Sequence, residues 1–160
     1  MADARFEDGT EQPVRLLAQE PDDLPVISTL IQDAVVQVSD VSWMKSKRRV
    51  AVLLSRFRWE DHDAAKQAGR PFERVQSMLV VDSVLNFRAN GVAPADKDVV
   101  FSVLSLSFEE AQDGAGTFRL TLAGDGELAL EVECVDIRLQ DVSRPYQARA
   151  GSAPNHQLDD

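Results

Sequence analysis

The stretch VQSMLVVDSVLNFR, Val75 to Arg88, decides what kind of fold this chain adopts. Val75, Leu79, Val81, Leu85 and Phe87 alternate with Arg74, Gln76, Asp82, Asn86 and Arg88. A period of two places one set on each face of an extended strand, whereas a helix would need apolar steps of three and four. The run is long for a single strand, so a bend within it is expected. Working outward, the same period recurs. Upstream, Phe57 and Trp59 alternate with Arg56, Arg58 and Glu60, just after the apolar run Val50–Leu54. Downstream, residues 100–108 (VFSVLSLSF) and the alternation of Phe118, Leu120 and Leu122 read as two more strands.

Turn chemistry supports that reading. Asp113-Gly114-Ala115-Gly116 and Gly124-Asp125-Gly126 supply the residues that tolerate positive φ in hairpins. In the last strand Leu128, Leu130, Val132 and Cys134 share one parity, and Val135, Ile137 and Leu139 take the other. A bulge or corner near Cys134–Val135 follows. Cys134, within that apolar pattern, is expected to be a small buried side chain. Before the strands, Leu24, Ile27, Leu30, Ile31, Ala34 and Val35 recur at three- and four-residue steps behind Asp22, Asp23 and Pro25. This predicts an amphipathic helix from about 22 to 36. The segment DHDAAKQAGR, 61–70, suits one or two helical turns stopped by Gly69.

The expected fold class is therefore α+β: an N-terminal amphipathic helix packed on a curved, mostly antiparallel sheet or partly closed β-roll of about six or seven strands. Residues 1–19 and 145–160 are polar and aperiodic, so flexible ends are expected around one domain at 20–144. An internal echo sets Val52-Leu53 and Phe57 against Val103-Leu104 and Phe108. It also sets Glu73, Val81-Asp82 and Leu85 against Glu127, Val135-Asp136 and Leu139. Strand composition alone generates such matches, so both duplication and chance remain open.

Composition narrows the function. The 160 residues carry 17 Lys and Arg, 27 Asp and Glu, two His and one Cys, for a net charge of −10. Such acidity makes nucleic acid an unlikely partner. No apolar run approaches the roughly 20 residues of a membrane span. The opening MADARFEDGTEQPVRLL is acidic, unlike a secretory leader, so a cytoplasmic location is expected. A lone cysteine cannot form an internal disulfide, which fits a reducing compartment. Histidine-activated nucleophiles would have to use His62, since His156 falls in the C-terminal tail. His62 lies among Glu60, Asp61 and Asp63, a set that could hold a divalent ion but matches no known loop spacing. A polar helix start is the plainer reading. No phosphate-binding glycine motif is present, so no cofactor and no metal is expected. Glu127, Glu131 and Glu133 share a strand face and Glu109 and Glu110 end another, an arrangement more typical of a solvated surface than of an acid–base pair.

One segment runs against the net charge. Lys45, Lys47, Arg48 and Arg49 follow Trp43 and Met44 at a predicted hairpin tip. Cations beside an aromatic suit an anionic ligand or an acidic protein face, and equally a solvated turn that protects a sheet edge. These five residues, Trp43 with the four cations, are the candidate ligand-binding set. Residues 42–74 hold nine Lys/Arg and four Asp/Glu, a net of +5; residues 109–141 hold two Arg and nine Asp/Glu, a net of −7. Opposed charge of this kind suits a protein partner or a homo-oligomer.

At Arg56-Phe57-Arg58-Trp59-Glu60, Phe72-Glu73-Arg74-Val75 and Leu130-Glu131-Val132-Glu133-Cys134 the chain resembles a family of short uncharacterised alphaproteobacterial proteins, a domain of unknown function. The likeness spans about residues 14 to 145. It implies a bacterial protein with no assigned activity, catalytic residue or cofactor. The reading that follows is a non-catalytic protein-interaction or self-association domain, with a small-molecule or anionic-ligand-binding β-roll as the alternative.

Overall fold

In the computed structural model, which describes residues 12–92 and 98–148, the chain forms ten strands and two short α-helices. In chain order these are β1 (Arg15–Ala18), α1 (Leu24–Ile31), β2 (Val35–Met44), β3 (Arg49–Phe57), α2 (His62–Ala68), β4 (Glu73–Val81), β5 (Val84–Asn90), β6 (Val100–Glu110), β7 (Gly116–Leu122), β8 (Gly126–Val132), β9 (Ile137–Asp141) and β10 (Tyr146–Gln147). Every strand pairing is antiparallel. The order across the sheet is β1-β9-β4-β3-β2-β6-β7-β8-β5, with β10 also on β4.

This corrects the expected fold class, a long helix on six or seven strands. The helix is eight residues rather than fifteen. Asp33 at φ 64° and the bond from Ala34 N to Ile31 O end it, and Val35 and Val36 then pair with β3 on one side and β6 on the other. Two sheet neighbours outweigh continuation of an amphipathic pattern through β-branched residues. The strand count rises because both long runs are broken. Val75–Arg88 becomes β4 and β5 about a corner at Asp82–Ser83, where Ser83 has φ 60°. The parity change near Cys134 is the corner between β8 and β9. Cys134 itself is exposed there, against expectation, because a corner residue leaves the ladder's inward register. The hairpins at 113–116 and 124–126 and the helical turn ended by Gly69 in the left-handed region form as the turn residues dictate.

Of the expected flexible ends, 1–11 and 149–160 lie outside the described residues. Their described parts pair with the sheet: Arg15–Ala18 against β9, Tyr146–Gln147 against β4.

The connectivity repeats. Starting from β2 and β6, each chain segment makes a three-stranded meander (β2-β3-β4 and β6-β7-β8), turns a corner, and sends its fourth strand to the other half. β5 pairs with β8, and β9 pairs with β4. The strand order from β9 to β5 is thus unchanged by exchanging β2 with β6, β3 with β7, β4 with β8 and β5 with β9. The pairing of Val36 with Phe101 lies at the centre of this exchange. The two corners meet: Asp82 N donates to Asp136 O, and Glu133 N to Ser83 O. The second part of the sequence echo joins strands that correspond; the first joins β3 to β6, which do not.

Both halves share one core. Val50, Val52, Leu54, Leu79, Ile137 and Leu139 face Phe118, Leu120, Leu122, Leu130 and Val132, with Leu24, Ile27 and Ile31 of α1 in the same cluster. Helix α1 packs on the C-terminal part of β6, where Ser28 Oγ accepts a bond from Leu106 N at 3.1 Å.

Candidate functional site

Three places carry enough chemistry or shape to be considered: a buried ionic cluster, the cationic tip, and an apolar cavity.

The ionic cluster grows from the parity of β3. Val50, Val52 and Leu54 face inward, and Arg56 is next in the same register, fully buried. The sequence alternation sets Arg56 on the face opposite Phe57 and Trp59. Phe57 is buried on that opposite face, under Trp59, His62 and Phe72. A buried guanidinium needs compensating charge, and two carboxylates provide it. Glu60 takes Nη1 and Nη2 at 2.9 and 2.8 Å, and Asp141 takes Nε and Nη2 at 3.1 and 3.0 Å. Ser77 Oγ accepts from Arg56 Nε and donates to Asp141 Oδ1 at 2.6 Å. Asp141 Oδ2 also accepts Val14 N at 2.8 Å. Burial alone would lower the Arg56 pKa, but the bonds and charges of Glu60 and Asp141 raise it above the ordinary value. Burial would raise Glu60, yet the bonds and charge of Arg56 hold its carboxyl below the usual range. Alongside, Arg58 reaches Glu73, and Asp61 takes both Arg70 Nη atoms at 3.1 and 3.2 Å.

Two of the segments that carry the family resemblance, 56–60 and 72–75, therefore form this cluster. Its chemistry is closed: among the described residues no buried side-chain polar atom lacks a hydrogen-bond partner. It ties β3, β4, β9 and the segment before β1 together. His62 stacks on Phe72 at 5.1 Å with planes 6° apart and meets Asp63 at 3.0 Å, while Glu60 and Asp61 are turned to arginines. Among the described residues no group of three or more His, Cys, Asp or Glu side chains is placed to hold a metal ion.

The acidic strand face is open and dispersed. Glu127 pairs with Arg119 at 3.1 Å, Glu131 accepts Asn86 Nδ2 at 2.8 Å, and Glu133 pairs with Arg48 at 3.0 Å. These acids meet neighbouring strands one by one and do not converge in a pocket.

The cationic tip lies between β2 and β3. Residues Lys45–Lys47 form a 3-10 turn closed by Arg48 at φ 51°. Its four cations divide into two pairs. Arg48 binds Glu133, and Arg49 binds Asp82 at 2.6 Å, so both fasten the tip to the two corners. Lys45 and Lys47 are exposed and form no ion pair among the described residues. Trp43 turns inward, its ring 6.2 Å from that of Phe87 on β5.

That contact borders the cavity. Beyond Val36 the β2–β3 ladder breaks and resumes only at Val41–Val52, and the loosened segment forms one wall through Val36, Val38, Ser39 and Val41. Phe87 and Ala89 of β5, with Val92, form the facing wall, and Phe101, Leu122 and Leu128 the floor. The volume is about 400 Å³, and Ser39 is the one hydroxylated lining residue. Among the described residues no acid or base lines it, and its lining suits an apolar group. The sequence signal for it is weak: the first two residues of β2 fall within the expected helix, and Ala89, Val92 and Ser39 lie outside any clear period. Of the candidate set, only Trp43 stands at its border, and Lys45 and Lys47 follow it in the chain.

A family model described as "Protein of unknown function (DUF2948)" matches residues 14–156. No curated protein and no solved structure matches the chain.

Proposed function

Since the chain belongs to the DUF2948 family, whose description carries no activity to transfer, we propose a function from the geometry alone: a non-catalytic interaction domain that receives an apolar part of a protein partner in the cavity between β2 and β5. The observation that supports this reading is the asymmetry of a symmetric fold. Beside β9 and the outer half of β6 the chain lays its own β1 and α1, with a groove of about 410 Å³ between α1 and β6. Between β5 and the outer half of β2, the equivalent space is the apolar cavity. β5 pairs only with β8 among the described residues, leaving its other edge unpaired.

The self-association form of this reading loses part of its motive. Arg48–Glu133 and Arg56–Asp141 join the basic and acidic regions within one molecule, so some of the +5/−7 contrast is neutralised internally. A small apolar molecule is the second reading, favoured by a volume within the roughly 300–1,000 Å³ of ligand pockets. The test compares wild type with Ala89→Trp, which fills the cavity from an exposed strand position. A protein that co-purifies with wild type and is lost from the variant is the expected result. Identical protein sets from both would refute the reading, and an extra small mass retained by wild type in native mass spectrometry would move the assignment to the second one.

A further inference from the structure

We infer that the outer face of β1, β9, β4 and β3 is a second docking surface, and that its partner is a protein segment presenting apolar side chains flanked by carboxylates. The cavity is lined from the other side of the sheet, where Val36 and Val41 pair with the inward-facing Leu54 and Val52, so neither reading depends on the other.

Strand register places the residues. Val50, Val52 and Leu54 of β3 and Leu79 and Val81 of β4 point into the core, so the positions between them point outward. On that side Ala51 pairs with Val80 and Leu53 with Met78, a two-by-two apolar block of partly exposed side chains outside the core cluster. Along the same rows Val80 meets Arg138 of β9 and then Leu17 of β1, which is 55% exposed. Met78 meets Gln140 and then Arg15. Toward the start of β4 stand Gln76, Arg74 and, paired with Arg74, Tyr146, whose hydroxyl lies 2.6 Å from Ser55 Oγ. The chain covers one end of this face itself: Phe57, paired with Arg74, is buried under Trp59, His62 and Phe72. From Leu53 to Ala51 the face is left partly exposed.

Composition points to a protein partner. The corresponding strands of the other half, β7 and β8, carry Thr117, Arg119, Thr121, Glu127, Ala129 and Glu131 on their outer side, an ordinary solvated face. The outward positions of β1, β9, β4 and β3 instead hold Met78, with Tyr146 and three arginines around it, and no Lys, Asp or Glu. Buried protein interfaces are enriched in aromatic residues, Met and Arg and depleted in Lys, Glu and Asp. Charge then selects the kind of protein. Arg15 and Arg74 form no ion pair among the described residues, and Arg138 shares Asp82 with Arg49 at the corner. Carboxylates on the partner complement these cations at short range. An anionic bilayer, by contrast, would act with its broad field on a chain of net charge −10. From Leu17 to Ala51 the face is three strand spacings wide, about 14 Å, which suits a single helix about 10 Å across.

The probe is a synthetic helical peptide of about 14 residues, with Leu along one stripe and Glu on either side of it. A counterpart carries Lys in place of Glu. Both are titrated into the full chain at low and high salt and followed by NMR chemical shifts. The Glu peptide is expected to shift the amide signals of β3 and β4, to weaken with salt, and to bind about ten-fold more weakly to Arg15→Glu/Arg74→Glu. The Lys peptide should bind wild type at least about ten-fold more weakly than the Glu peptide. Met78→Glu, within the apolar block, should abolish binding, and Ala89→Trp, at the cavity, should leave it unchanged. The arginine variant alters side chains outside the core, so it keeps the test valid if Met78→Glu misfolds. Equal binding of the two peptides, or no binding of the Glu peptide, overturns the inference. Loss of binding in Ala89→Trp also overturns it, because the peptide would then sit in the cavity. If the peptide fails while phosphatidylserine vesicles bind wild type and not the arginine variant, the inference falls and a lipid surface replaces the protein partner.

Discussion

Arg56 shows what a single residue can decide in this fold. Its guanidinium is completely buried, and one of its two carboxylate partners, Asp141, is only 3% exposed. Removing it takes from Asp141 and Glu60 the guanidinium that both bind, leaving Asp141 only its bonds from Ser77 and Val14 and Glu60 the more distant Arg58. Arg56→Ala is therefore expected to cost about 3–5 kcal/mol, read as a lower urea midpoint. Arg48→Ala, by contrast, breaks a pair whose side chains are 58% and 53% exposed, and should change stability by less than about 1 kcal/mol in the same measurement. Glu60 adds a pH dependence. Its carboxyl is held below the ordinary range, so its stabilising contribution is present above the unfolded pKa of about 4.3 and is lost as pH falls through the lower folded value. Glu60→Gln should flatten the acid side of the stability curve, measured by thermal melting across that range. The alternation of RFRWE was visible in the sequence. The burial of Arg56 was not, because a two-residue period gives two faces but does not say that an arginine continues the inward one.

At the level of elements, local chemistry is decisive in the turns. Gly116 opens β7 where a Cβ would collide with the Glu109 carbonyl oxygen and the Phe108 ring. Gly116→Ala is expected to destabilise by about 1–3 kcal/mol through overpacking, with a matching fall in melting temperature, whereas Gly114→Asn meets open space and should cost less, about 1 kcal/mol, from its φ of 84° alone. Both hairpins, the turn at Gly69 and the corner near Cys134 were legible, since each depends on residues adjacent in sequence. The end of α1 was not. Ala34 and Val35 continue the helical stripe, and only contacts with residues 52–55 and 100–103 turn them into the start of a strand.

For the whole molecule, the two halves share a single core, so they are expected to unfold together. The two tryptophans offer a direct check: Trp43 borders the cavity and Trp59 packs on Phe57 beside the ionic cluster, its Nε1 donating to Gln32 O. Both lie on the β2–β3 side, so tryptophan fluorescence and far-UV circular dichroism, which follows the strands of both halves, should give coincident denaturation midpoints; separated midpoints would mean that the halves are independent. The internal pairing of basic and acidic regions also predicts that the mass measured by light scattering stays the same between low and high salt. Among the described residues no helix is long and apolar enough to cross a membrane.

Sequence by itself determined what depends on short range and on counting: the two-residue period, the turn residues, the shortage of histidine and cysteine, and the cationic segment after Trp43. Tertiary structure alone decided what depends on distant partners. It set the length of α1, the burial of Arg56 between Glu60 and Asp141, the crossing of β5 and β9 between halves, and the cavity left where β2 departs from β3. The physical reason is that alternation and turn propensity are properties of neighbouring residues. Pairing order, charge compensation and empty volume belong to segments brought together from distant positions, Arg56 to Asp141 across 85 and Asn86 of β5 to Glu131 of β8 across 45, and no local pattern names the partner.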